Sequence, residues 1–288
     1  MLGKLIKYEW KSTYKVGLLL LLAIGLATVM GFVIFQAPMW HSMYRDSSID
    51  QVAEALLNIA SIFSLLIYVL LLVGAVYGIY IFLVVRFYRS MYKSEGYLLH
   101  TLPVTKHQIL ISKILVSTIW VYLIYIAMIV SMLLFFLTMM AAVSGESISE
   151  ILGSVSDIYS NVYTLFRELF SESGFSMSMY QVIIILTSIL SLPAGLVILF
   201  GAISIGQLFA KNRVLMAILS YIGITIARSL LSSLIQGVNY IGTALSGPEQ
   251  LVGYMNSSML LSLILNLLLA AGCYFVSYYV ISKRLNME

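Results

Sequence analysis

Six apolar runs, each long enough to cross a hydrocarbon core of about 30 Å, recur along the chain and leave it few folds to adopt. They lie near Val16 to Gln36, Leu57 to Val85, Ile109 to Val143, Tyr180 to Ala210, Val214 to Gln236 and Met259 to Ser282. Backbone amides in lipid must bond within their own segment, and no run shows the short alternation of a barrel strand, so each is expected to be a helix. The second, third and fourth are longer than a perpendicular crossing needs, which implies tilt or extension beyond the bilayer. Composition agrees, since 61% hydrophobic and 10% charged residues with mean hydropathy +1.01 lie far outside the soluble range. The expected fold is an all-α membrane protein with one transmembrane domain over residues 1–288.

Cation placement gives the orientation. Lys4, Lys7, Lys11 and Lys15 precede the first run, while Arg86, Arg89, Lys93, Lys106 and Lys113 separate the second from the third. Lys211 and Arg213 separate the fourth from the fifth, and Lys283 and Arg284 follow the sixth. The positive-inside rule makes these segments, and both termini, cytoplasmic. The remaining connections carry Asp46, Asp50, Glu54, Glu146, Glu150, Asp157, Glu168, Glu172 and Glu249 against Arg45 and Arg167. A net charge of +4 and a pI near 9.0 are thereby explained by topology and anionic lipid, and nucleic acid is not an expected partner. The first run follows Lys-rich sequence as a signal peptide does, but it is long and lacks a small-x-small cleavage site, so it reads as a retained helix. Cys273 is the single cysteine, which excludes an intrachain disulfide and reads as packing inside the sixth run.

Residues 1–15 have an amphipathic pattern, with Lys4, Lys7, Lys11 and Lys15 on one arc and Leu2, Leu5 and Ile6 broadly opposite. This predicts an interfacial helix leading into the first span. Glu9 falls among the apolar positions, where a carboxylate is costly unless paired; a solvated, fraying end and a specific contact both account for it.

Two outer connections are patterned. In the segment 144–178, Ile148, Leu152, Val155, Tyr159, Val162, Phe166 and Leu169 recur at spacings of four and three, the stripe of an amphipathic helix. Such a stripe must be covered, by the outer leaflet, by the chain's own spans or by a second copy, and Gly153 permits a break into two shorter helices. The connection 237–256, with Gly242, Gly247, Pro248 and Gly253, reads as a re-entrant pair or as an ordinary loop.

Inside the spans polar chemistry is sparse. Arg228 is the cation of the fifth run, a functional group or a side chain that snorkels to the interface. Asn266 in the sixth run and Asn58 in the second are expected to hydrogen-bond across helices. Pro193 with Gly195 predicts a kink in the fourth run, and Ala202 with Gly206 gives the small-xxx-small spacing of a close helix contact. No phosphate-binding loop, zinc-protease helix, nucleophile elbow or dinucleotide-binding turn is present. The three His, at 41, 100 and 107, are too scattered for one metal site, so neither a catalytic nor a metal centre is expected. Uphill movement of a substrate then needs an ion gradient or another protein, and the scarcity of acidic groups in the spans disfavours the gradient.

The densest polar surface is the 86–113 stretch RFYRSMYKSEGYLLHTLPVTKHQILISK. It holds five of the 16 Lys and Arg and two of the three His. It reads as a docking surface for a soluble partner, or as a polar loop whose cations only anchor topology.

The basic start MLGKLIKYEWKSTYK, six spans with both ends inside, and KSEGYLLHTLPVTKHQILISKIL together resemble the permease subunits of type 2 ATP-binding cassette exporters, in particular the small bacterial ones. The resemblance covers nearly the whole chain. It implies a coupling helix around Tyr88 to Leu99 that docks on a separate ATPase, with Arg89, Lys93, Glu95, Gly96, Tyr97 and the Leu102–Pro103 turn at the contact. Residues 1–15 would be the connecting helix at the inner interface, with Lys4, Lys7, Glu9, Lys11 and Lys15 as its polar positions. It also implies a second copy or a related permease, spans one and five near the shared axis, and re-entrant outer helices at 237–256. ATP and magnesium would sit on the partner ATPase, with no cofactor on this chain, in a bacterial cytoplasmic membrane. The implied cargo is a peptide, drug or lipid-like amphiphile. The rival from another class is a membrane sensor or scaffold that recruits a cytoplasmic partner through the same segment.

Overall fold

Each apolar run folds as helix and most outgrow it, although the helix of the fourth stops at Gly206, short of the expected Ala210. The computed structural model describes residues 2–36, 51–93, 96, 103–144, 148–172, 177–209, 211–244 and 251–283. Seven helices make up nearly all of these residues: α1 Leu2–Gln36, α2 Gln51–Tyr92, α3 Lys106–Ser144, α4 Ile148–Glu172, α5 Met177–Gly206, α6 Arg213–Ala244 and α7 Leu251–Lys283. All but α4 are long and apolar enough to cross a membrane. At a rise of about 1.5 Å per residue, α2 and α3 run roughly 60 Å, twice the hydrocarbon thickness, so both extend well beyond it.

No proline falls between Leu2 and Gln36, and α1 is one unbroken helix, so the amphipathic start and the first span are not separate elements. In the 237–256 connection, α6 continues through Gly237 and Gly242 to Ala244, and α7 begins at Leu251. Glycine costs helix stability in water, but in lipid every backbone group needs its intrahelical partner and the helix persists. Asn239 Nδ2 then donates to Ser257 Oγ at 2.7 Å and ties α6 to α7. Likewise α4 passes Gly153 without a break.

The chain divides into two compact units. The first comprises Met1–Trp10, Phe82–Thr118 and Tyr163–Glu288. Its core gathers Leu5, Phe87, Met91, Ile109, Leu110, Phe200, Ile203 and Ile281, centred on a Phe87–Phe200 stack with ring centroids 4.1 Å apart. Here α5 packs against α6 and α7. The small-residue spacing has the expected consequence, because a Cβ on Gly206 would lie 2.6 Å from the Ala217 Cα and nitrogen of α6. Asn212, at φ 57°, turns the chain between these helices, and its carbonyl accepts the Met216 N–H at 3.0 Å. Cys273 is free, buried and packed against Gly201. Pro193 lies inside α5, which continues through it.

The second unit comprises Lys11–Ile81 and Ile119–Val162. Trp120 is buried in it, and its Nε1 donates to Thr13 Oγ1 at 2.9 Å. Gly17 faces that ring so closely that any Cβ would overlap it. Ser131 joins two further helices, receiving Thr28 Oγ1 at 2.7 Å and meeting Tyr68 Oη at 2.9 Å.

Candidate functional site: an ion cluster and a polar helix face

Glu9 is not in water. It lies on the face of α1 that also carries Leu5 into the core, and its side chain is 14% exposed. Arg86 Nη2 of α2 donates to Glu9 Oε2 at 3.2 Å, and Lys113 Nζ of α3 donates to Glu9 Oε1. Lys113 also donates to Ser90 Oγ at 2.8 Å and is 4% exposed. One carboxylate thus joins the start of α1 to the end of α2 and the start of α3. These are the two helices that flank the 93–105 segment. By contrast Lys4, Lys7, Lys11 and Lys15 are all exposed. From sequence, Arg86 and Lys113 read as topology markers and as the ends of a docking stretch, not as partners of Glu9. The signal for their role was Glu9 itself, an acid on an apolar helix face whose burial demands nearby cations.

Further contacts fasten the same segment to the rest of the first unit. Tyr92, the last residue of α2, donates its hydroxyl to Ser204 Oγ of α5 at 2.7 Å. His107, in the first turn of α3, meets Tyr274 Oη through Nδ1 at 2.7 Å and stacks on Tyr278 at 4.0 Å, both on α7. Of the expected coupling residues, Arg89 and Lys93 are exposed, with Lys93 Nζ 5.6 Å from the Tyr88 ring centroid. Gly96 is buried, and its N–H donates to Lys93 O at 2.8 Å. A Cβ there would come within 2.6 Å of the Met91 carbonyl oxygen, which gives this glycine a steric reason. Pro103 is exposed in a bend; Glu95, Tyr97 and Leu102 lie outside the described residues.

The second feature is on α6. Tyr221, Thr225, Arg228, Ser232 and Gln236 recur at spacings of three and four and share one face. With Ser229 and Ser233, and with Gly195 and Ile198 of α5, they line a cavity of about 570 Å³. The opposite face carries Leu230, Leu234 and Val238, 61%, 67% and 73% exposed, as suits contact with lipid. Arg228 therefore sits within a polar track rather than alone on an apolar helix. No Asp or Glu is in the cavity lining, and among the described residues Arg228 has no ion pair or hydrogen bond.

Asn266 is buried, but its Oδ1 has no hydrogen-bond partner among the described residues, so this atom makes no bridge between helices. The Asn58 side chain lies outside the described residues. On α4, Leu152, Val155, Tyr159 and Val162 are exposed. Among the described residues no group of His, Cys, Asp and Glu is placed to hold a metal ion.

No protein-family model, curated protein or solved structure matches the chain. Its six span-length helices define a multi-pass membrane protein.

Proposed function

We propose that this protein is the membrane-spanning permease subunit of an ATP-binding cassette exporter of the type 2 class. It acts in a bacterial cytoplasmic membrane with both termini inside, and a separate ATPase that binds ATP and magnesium drives it. The observation that carries the transport reading is the polar face of α6, a cavity-lining track within a span-length helix whose other face is apolar. A scaffold needs no such face inside the bilayer, whereas a route for a polar or amphipathic cargo does.

Coupling is supported by the way the 93–105 segment is held. Glu9 ties both of its flanks to α1, Tyr92 ties one flank to α5, and His107 ties the other to α7. A displacement imposed there by an ATPase is passed through these contacts to α1, α5 and α7. On this reading Tyr88 to Leu99 is the coupling helix, residues 1–15 form the connecting part of α1 at the inner interface, and α4 is an outer helix. The partners are the ATPase and a second copy or related permease, and cargo is a peptide, drug or lipid-like amphiphile.

The test is to purify the tagged chain from its native membrane in mild detergent and identify stoichiometric partners by mass spectrometry. Recovery of a soluble protein with a phosphate-binding loop, lost in the Glu95→Ala and Tyr97→Ala variants, is the expected result. Recovery of no ATPase, under conditions that preserve other membrane complexes, would favour a sensor or scaffold.

A further inference from the structure

Arg228 lies about 15 residues from the start of α6, roughly 22 Å along its axis, so it is well inside the span. A guanidinium there is costly without a counter-charge, and the cavity lining supplies none. Snorkelling alone does not account for its surroundings, because Tyr221 and Thr225 lie on one side of it along the axis and Ser232 and Gln236 on the other, all facing the same cavity.

The hydrogen bonds on this face divide its hydroxyls: Thr225 and Ser233 donate to the Tyr221 and Ser229 carbonyls at 2.8 Å each, whereas the Ser232 proton is not spent on the backbone. Gln236 Nε2 donates to Ser232 Oγ at 2.9 Å, which fills an acceptor position and leaves the Ser232 hydroxyl proton to donate elsewhere. Ser229 adds a second hydroxyl beside the five N–H groups of Arg228. A planar guanidinium flanked by hydroxyl donors suits a carboxylate or phosphate. A volume near 570 Å³ accommodates a head group or short polar moiety rather than a large polymer.

We propose that the α5–α6 cavity binds the anionic oxygen group of an amphiphile, with Arg228 as its charge anchor and Ser229 and Ser232 as donors. This rests on the transport reading for its purpose, since it would select anionic amphiphiles as cargo, but the binding itself needs no ATPase.

The experiment uses the full chain, purified and delipidated in a non-ionic detergent. It is titrated with dioleoylphosphatidylglycerol or dioleoylphosphatidylcholine in mixed micelles, and bound lipid per chain is read by native mass spectrometry. The expected result is at least about tenfold preference for the anionic lipid. That preference is abolished by Arg228→Gln, reduced by Arg228→Lys and abolished by Ser232→Leu, which fills the cavity but keeps the charge.

Competition with glycerol phosphate separates the sources. Displacement of the lipid assigns the site to a free anion, and failure to displace assigns it to a membrane-borne head group. Equal binding of the two lipids, or a preference that survives both Arg228→Gln and Ser232→Leu, overturns the proposal. Such a failure beside a recovered ATPase leaves the permease reading standing; anion binding without an ATPase removes that reading and keeps the site.

Discussion

Neutralising Glu9 should cost more stability than any substitution among the four exposed lysines of the same helix. At an effective dielectric constant of about 20, the 3.2 Å contact with Arg86 alone is a gross attraction of about 5 kcal/mol, and the Lys113 contact adds to it. Desolvation of the three ions offsets much of this in the intact protein. It does not offset the loss in Glu9→Gln, which leaves the Lys113 ammonium, 4% exposed, without its carboxylate. Removing one partner of a buried pair costs about 3–5 kcal/mol. Using the scaling of chains of about 150–250 residues, that lowers the unfolding midpoint by roughly 10 °C. Arg86, 23% exposed, reaches water more readily, so Arg86→Gln should cost less.

The assay is the fraction of purified protein that stays monodisperse after heating in detergent, for Glu9→Gln, Lys113→Met and the double variant. Because both single changes strand the other charge, the double variant should lose about 1–3 kcal/mol less than the sum of the singles. An unchanged midpoint for Glu9→Gln, together with additivity, would mean that the cluster does not form and that Glu9 is solvated.

Two further predictions concern the second unit. Gly17→Ala pushes a methyl into the Trp120 ring, whose indole N–H is committed to Thr13, so overpacking should cost about 1–3 kcal/mol, read as a lower unfolding midpoint with a shifted tryptophan emission. Ser131→Ala removes the shared partner of Thr28 and Tyr68; at about 0.6–2 kcal/mol per interhelical hydrogen bond in a membrane, it should cost more than Tyr68→Phe, by the same heating assay.

The spans were legible because lipid imposes one rule on every backbone amide. The apolar runs around Leu196, Ile198 and Phe200 therefore declared a helix without reference to anything else. Helix ends were less so. Gly237 and Gly242 signal turns in water, yet they sit inside α6, since the rule that made the spans readable also overrides glycine.

The ion cluster was half legible. Glu9 was out of place on its helix, but which cations answered it depended on how α1 meets α2 and α3, a packing fact with no local signature. Arg228 was conspicuous from the start, whereas the track around it emerges only when Tyr221, Thr225, Ser232 and Gln236 are seen to line one cavity.

If the polar face of α6 lines a route through the membrane, water reaches it, and cysteine accessibility reports this. Cys273 is the chain's single cysteine, so Cys273→Ser gives a cysteine-free background at once. Single cysteines would then be placed at Thr225, Ser229 and Ser232, and at Leu230 and Leu234 on the opposite face. Each variant would be treated in intact membranes with a membrane-impermeant, water-soluble thiol reagent. Labelling is expected at the first three positions and none at the last two. Equal protection of all five would mean that water does not reach this face, and would contradict a route along α6.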